Sequence, residues 1–188
     1  MQRKIPSRSE AFALLKQYNK SDSLLKHALA VEGVMRFIAR KLGEDEELWG
    51  LVGLVHDLDY EMYPEQHCQM TKQILEEQGW DESIIRAILS HGWGTCTDVE
   101  PKTQMEKYLF AIDELTGLIT AVALVRPSKS IMDVEVKSVK KKWKEKSFAA
   151  GANREIIQKG ADMLGITLDE LIQTTLDGMK TVAKEIGL

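Results

Sequence analysis

The segment LWGLVGLVHDLDYEMYPEQH, residues Leu48 to His67, decides how the chain is read. Its first half is apolar enough for the inside of a helix, yet it ends in His56 and Asp57 side by side, with Asp59 and Glu61 close behind. An imidazole and a carboxylate stand where two leucines would have served.

Working outward, apolar residues recur at three- and four-residue intervals along nearly the whole chain, and no stretch sustains the alternation of a strand. The fold class expected is therefore all-α. Helices are expected from about Ser9 to Tyr18, from Ser21 or Asp22 to a stop at Gly43, and from an Asp45 cap to near Asp59. A fourth starts at Pro64 and ends at Gly79, and Asp81 caps a short fifth that GWG ends. TQME at Thr103 and TLDE at Thr167 are capping boxes, the first opening a long helix closed by Pro127, the second opening a last helix to about Ile186. Between them, Asp133 starts one helix, and REIIQKGADML with Gly165 forms another. A bundle of about nine helices is the simplest architecture, as one domain over residues 1–188.

The length suits one ordinary domain with a full core. Against 29 Asp and Glu stand 25 Lys and Arg, a net charge of −4, so the overall charge advertises neither a nucleic-acid surface nor an anionic-membrane surface. Polar residues interrupt the N-terminal apolar positions, so the continuous apolar core of a secretory signal is lacking and none is expected, and no apolar window is long enough to span a bilayer. Two cysteines, Cys68 and Cys96, are too few for a disulfide framework and read as reduced thiols in a cytoplasmic protein. Neither nucleic acid nor membrane is expected as a partner, and a homo-oligomer is left open.

The chain has four histidines, His27, His56, His67 and His91, each on or at the end of a helix. Asp113 lies inside another apolar run, YLFAIDELTGLI, where an isolated carboxylate needs a hydrogen-bonded partner, a cation or a metal. Five segments thus supply, in order, H, HD, H, H and D. Neighbours on a regular helix point about 100° apart, so His56 and Asp57 reach one metal region only near a helix end, or with Asp57 between two metals. Imidazole and carboxylate suit iron, manganese, zinc, nickel or cobalt.

In this order the residues resemble the HD superfamily of metal-dependent phosphohydrolases, over roughly residues 21–125, with the helices of 127–188 packed on that core. The resemblance implies a first metal site of His27, His56, Asp57 and Asp113, and His67 and His91 resemble the additional ligands of the two-metal branch. Asp57 is assigned as the bridge. One or two divalent ions, with magnesium as a further candidate, would activate water against a phosphoester of a nucleotide or other small phosphorylated compound, in a phosphatase or phosphodiesterase reaction.

Many relatives follow HD with a small residue and then a lysine that touches phosphate. Here the continuation is Leu58, Asp59, Tyr60. Asp59 and Glu61 are therefore assigned, with His56 and Asp57, to the catalytic group, to orient water or protonate a leaving group. Positive charge is sought in VKSVKKKWKEKSFAAGANREI, with Lys146, Asn153 and Arg154 as substrate contacts. Other readings stay open. The same ligand order resembles the mixed-valence di-iron oxygenases of the superfamily. A non-catalytic nucleotide sensor is a further alternative, though the sequence shows no attached input or output domain. His67, Cys68, His91 and Cys96 are weighed as a structural zinc site, and Trp93 as a base-stacking or packing residue.

Overall fold

The computed structural model describes residues 4–188, and the described residues form helices without strands. The helices are α1 (Arg8–Tyr18), α2 (Asp22–Leu42), α3 (Glu46–Val55), α4 (Gln69–Glu77), α5 (Glu82–Leu89), α6 (Gln104–Leu124), α7 (Val136–Trp143), α8 (Arg154–Leu164), α9 (Leu168–Lys180) and α10 (Ala183–Ile186). No helix among the described residues is long and apolar enough to cross a membrane.

Local chemistry sets most helix ends. Asp45 and Asp81 accept from backbone N–H groups of the first turns of α3 and α5, and Thr103 and Thr167 close reciprocal boxes with Glu106 and Glu170. Gly43 and Gly165 end α2 and α8 in the left-handed conformation.

Helix α6 is apolar almost all round, with Leu109, Ile112, Leu115 and Ile119 fully buried, which marks a central helix. Small residues let its neighbours come close. A Cβ on Gly160 of α8 would lie 2.5 Å from the Ala111 Cα on α6, and one on Gly178 of α9 would lie 2.8 Å from the Val34 Cα on α2. Helices α2, α3, α5 and α6 pack on one another around one region.

Four expected boundaries are corrected. Helix α3 stops at Val55 instead of near Asp59, and residues 56–62 form successive turns. Pro64 opens only a short 3-10 turn, Pro64–Gln66, and Cys68 (φ 70°) separates it from α4. Asp133 does not start a helix, because its carboxylate is taken by Arg126 and Ser128; Glu135 caps α7 instead. The last expected helix is broken into α9 and α10.

Candidate metal centre

His56 and His91 stand one residue past the ends of α3 and two past α5, where the last carbonyls of a helix have no partner of their own. Each imidazole turns back on its helix: His56 Nδ1 lies 2.7 Å from the Gly53 carbonyl, and His91 Nδ1 lies 2.6 Å from the Ile88 carbonyl. A carbonyl only accepts, so both Nδ1 atoms carry a proton, and in the neutral imidazole both Nε2 atoms present a lone pair. His67 is fixed in the same way by Asp59, whose Oδ1 lies 2.7 Å from its Nδ1. His27 Nδ1 faces the Thr116 hydroxyl at 3.4 Å, and that hydroxyl donates to the Asp113 carbonyl, which leaves its oxygen to accept.

These lone pairs point at one another. His27 Nε2 lies 3.1 Å from His56 Nε2, and Asp113 Oδ1 lies 3.0 and 3.2 Å from the two. His67 Nε2 lies 3.2 Å from His91 Nε2. Asp57 sits between the pairs. Its Oδ2 is 3.5 Å from His27 Nε2 and 3.3 Å from His56 Nε2, while its Oδ1 is 3.4 Å from both His67 Nε2 and His91 Nε2. Acceptors crowded at such distances need protons or cations between them, so the donor set fits divalent metal at two adjoining places.

In the metal-free protein, protons stand in for cations. Burial pushes the His27 imidazole down, but its bonds to Asp113 and Asp57 outweigh burial and bring it up to about 9. His56 is likewise raised well above the usual imidazole range by the charges of Asp57 and Asp113, against burial. Burial works against ionised Asp57 and Asp113, yet the neighbouring histidines, His56 foremost, hold both carboxyls well below the usual range.

The region from Leu24 through Asp113 that carries these groups matches the family model described as HD domain, over residues 24–118. The chain belongs to the HD domain family. Among curated relatives, this HD domain protein is 27% identical over 143 residues to Ribonuclease Y of Oleidesulfovibrio alaskensis, covering 72% of this chain and 27% of that one. It is 29% identical over 141 residues to Ribonuclease Y of Staphylococcus epidermidis strain RP62A, covering 71% and 26%. The chain thus spans about a quarter of the length of these relatives. No solved structure gives a significant match.

Of the residues assigned from sequence, the HD domain brings His27, His56, Asp57, His67, His91 and Asp113 together, and not the others. Asp59 is fully buried and absent from the cavity wall, with Oδ1 on His67 and Oδ2 accepting the Thr71 N–H at 2.8 Å. Its assignment to orienting water or protonating a leaving group is corrected: it orients His67 and caps α4 from outside that helix. Glu61 is corrected too. Its Oε2 accepts the Lys20 and Ser21 N–H groups at 2.6 and 2.9 Å, capping α2 in place of the Ser21 side chain, which makes no cap bond.

Asn153 and Arg154 have structural partners as well. Asn153 caps α8, and the Arg154 guanidinium donates to the carbonyls of Phe148, Ala149 and Ala152. Lys146 faces a neighbouring cavity beside the metal pocket. Trp93 packs against Phe110, with Lys159 Nζ 3.6 Å from its ring centre. His67, Cys68 and Cys96 offer ligand atoms within 4.8 Å of one another, so the thiols form a third grouping behind His67. Cys96 is brought down to about 6 by its bond to Cys68.

Sequence reasoning missed Tyr60 and Glu114. Both line the cavity of about 450 Å³ that opens over the histidines. Tyr60 packs edge-on against His67, ring centres 5.1 Å apart. Glu114 accepts the Asn153 N–H at 3.2 Å, and burial together with the charge of Asp113 raises its carboxyl. The one available signal was proximity: each is within three residues of an assigned ligand.

Proposed function

We propose that this HD domain protein is a metal-dependent phosphohydrolase that cleaves a phosphoester of a small phosphorylated compound, a nucleotide being the leading candidate. The observation that carries the reading is Asp57, with one carboxylate oxygen facing each pair of histidines. His27, His56, Asp113 and Asp57 Oδ2 would hold one ion, and His67, His91 and Asp57 Oδ1 the other. When bound, two divalent ions supply positive charge to a phosphoester and bring water near the acidity at which it becomes a nucleophile at neutral pH.

The chain's own groups prepare for that charge. With each Nδ1 proton held by a carbonyl, a carboxylate or a hydroxyl, the histidines stay neutral ligands with Nε2 free. Two ions then outweigh the two carboxylates, and the surplus suits an anion. Tyr60 at the rim offers a phenolic hydrogen bond to a phosphoryl oxygen. Glu114, held by the Asn153 N–H, is placed to pass a proton to the leaving oxygen. Leu24, Ala149, Ala152 and Ile156 give the wall an apolar side that excludes water around the leaving group.

The name of the relatives, Ribonuclease Y, brings RNA into consideration, against the expectation of no nucleic acid. The test therefore pairs protein loaded with manganese, iron, cobalt, nickel or zinc with nucleoside mono-, di- and triphosphates, cyclic nucleotides, dinucleotides and short RNAs. Phosphoester cleavage is expected, abolished in Asp57→Ala together with loss of metal. Retained metal with no turnover on any compound refutes the reading, and a mixed-valence iron signal would support the oxygenase instead.

A further inference from the structure

The metal cavity carries no lysine or arginine among its described lining residues. Across one loop lies a second cavity, about 670 Å³, which shares Gly151 and Ala152 with the first and carries Lys144, Lys146 and Arg154 against a single acid, Glu155. The two chambers therefore adjoin, and the basic charge is confined to the outer one.

The dividing loop is built to hold its shape. Arg154 ties the Phe148, Ala149 and Ala152 carbonyls to the start of α8, the backbone N–H of Asn153 is fastened to Glu114, and Ala149 is kept at φ 45°. A non-glycine residue persists there only when its surroundings over-determine it. The lysines of this segment also divide by partner. Lys137 pairs with Glu135, Lys140 with Asp169 and Lys142 with Glu145. Lys141, Lys144 and Lys146 have no acidic partner among the described residues, although the chain carries more acids than bases, and of these three Lys144 and Lys146 line the outer cavity. Two unpaired ammonium groups on the wall of one concavity make a local field that favours a dianion over a single carboxylate. Trp143 gives the same wall an apolar face.

We infer that the outer cavity binds a second phosphate group of the substrate, so that the compound processed at the metal centre is a small bisphosphate. The inference rests on the phosphohydrolase reading for the inner cavity. The remote phosphate supplies binding energy and fixes the orientation of the phosphate that reacts.

The test uses the metal-loaded full chain and two matched pairs of probes, adenosine 5′-monophosphate with adenosine 3′,5′-bisphosphate, and fructose 6-phosphate with fructose 1,6-bisphosphate. Affinity by titration calorimetry and phosphate release are both measured. At least one bisphosphate is expected to bind about tenfold more tightly than its monophosphate, the size expected of two partly solvated ion pairs. That ratio should fall to about one in Lys144→Ala/Lys146→Ala and stay in Lys141→Ala, which alters an exposed lysine outside both cavities. A wild-type ratio near one for both pairs, no binding of either bisphosphate, or an unchanged ratio in the double variant overturns the inference. So does a stronger dependence on these lysines for short RNA than for either bisphosphate. A preserved binding preference without phosphate release from any compound refutes the phosphohydrolase reading and leaves the subsite standing.

Discussion

Asp57 and Asp59 are two residues apart in sequence and have opposite environments. Asp57 faces both histidine pairs and lines the cavity, whereas Asp59 is fully buried behind His67. A carboxylate behind an imidazole fixes its tautomer and raises its basicity as a ligand. Asp59→Asn keeps the shape but replaces one accepting oxygen with an amide NH2, so either the His67 Nδ1 proton or the Thr71 N–H loses its acceptor. The expected result is a drop of about 10- to 100-fold in metal affinity at the His67 and His91 position, with the His27, His56 and Asp113 position retained. Metal analysis after dialysis should then find one ion per chain where two are expected in the wild type. Loss of both ions, or of neither, contradicts the division into two sites with Asp59 serving only the second.

At the scale of the element, the helices differ in what their glycines permit. Gly160→Ala would drive a methyl group into the α6 backbone at Ala111, and overpacking of this kind costs about 1–3 kcal/mol. Helix α8 also carries Ile156 into the metal cavity, so KM should rise with the loss of stability. Gly117→Ala on α6 meets nothing within 4 Å and gains helix propensity, up to about 1 kcal/mol. It lines the same cavity, so it should stabilise the fold while weakening substrate binding. Urea unfolding and steady-state kinetics on both variants separate the two effects. If Gly160→Ala is neutral, α8 is not held against α6 by the small residue.

These elements also show what could be read beforehand. The caps at Asp45, Asp81, Thr103 and Thr167 were legible because a cap acts within three residues of itself. The six converging side chains were legible through their order and apolar settings, together with the family resemblance. The break at His67 and Cys68 was not, because the acceptor at the start of α4, Asp59 on the Thr71 N–H, reaches in from outside the helix. Glu61 was misread for the same reason, as its partners Lys20 and Ser21 are about forty residues away. Tertiary partners of this kind leave no periodic trace.

At the scale of the whole molecule, protons and metal compete for the same atoms, which makes stability depend on pH in a signed way. In the metal-free protein His27 sits at about 9, against roughly 6.5 for an imidazole in an unfolded chain. Its contribution is therefore complete below pH 6.5 and is lost as pH rises through 9. The lowered carboxyls of Asp57 and Asp113 contribute above the unfolded carboxyl range and are already ionised in both states across this window. Metal binding below pH 9 must displace the His27 proton, so affinity rises with pH over the same interval. The melting temperature of the chelated protein should then fall from pH 6.5 to 9, and the gap between loaded and chelated protein should widen. Ligand at a hundredfold excess over its dissociation constant adds about 2.7 kcal/mol, a shift of several degrees that scanning calorimetry resolves readily. His27→Gln removes one of the raised imidazoles and should make the chelated curve shallower, with slope remaining from His56. A gap that narrows with rising pH would mean that the proton on His27 is not what the metal replaces, and would remove His27 from the ligand set.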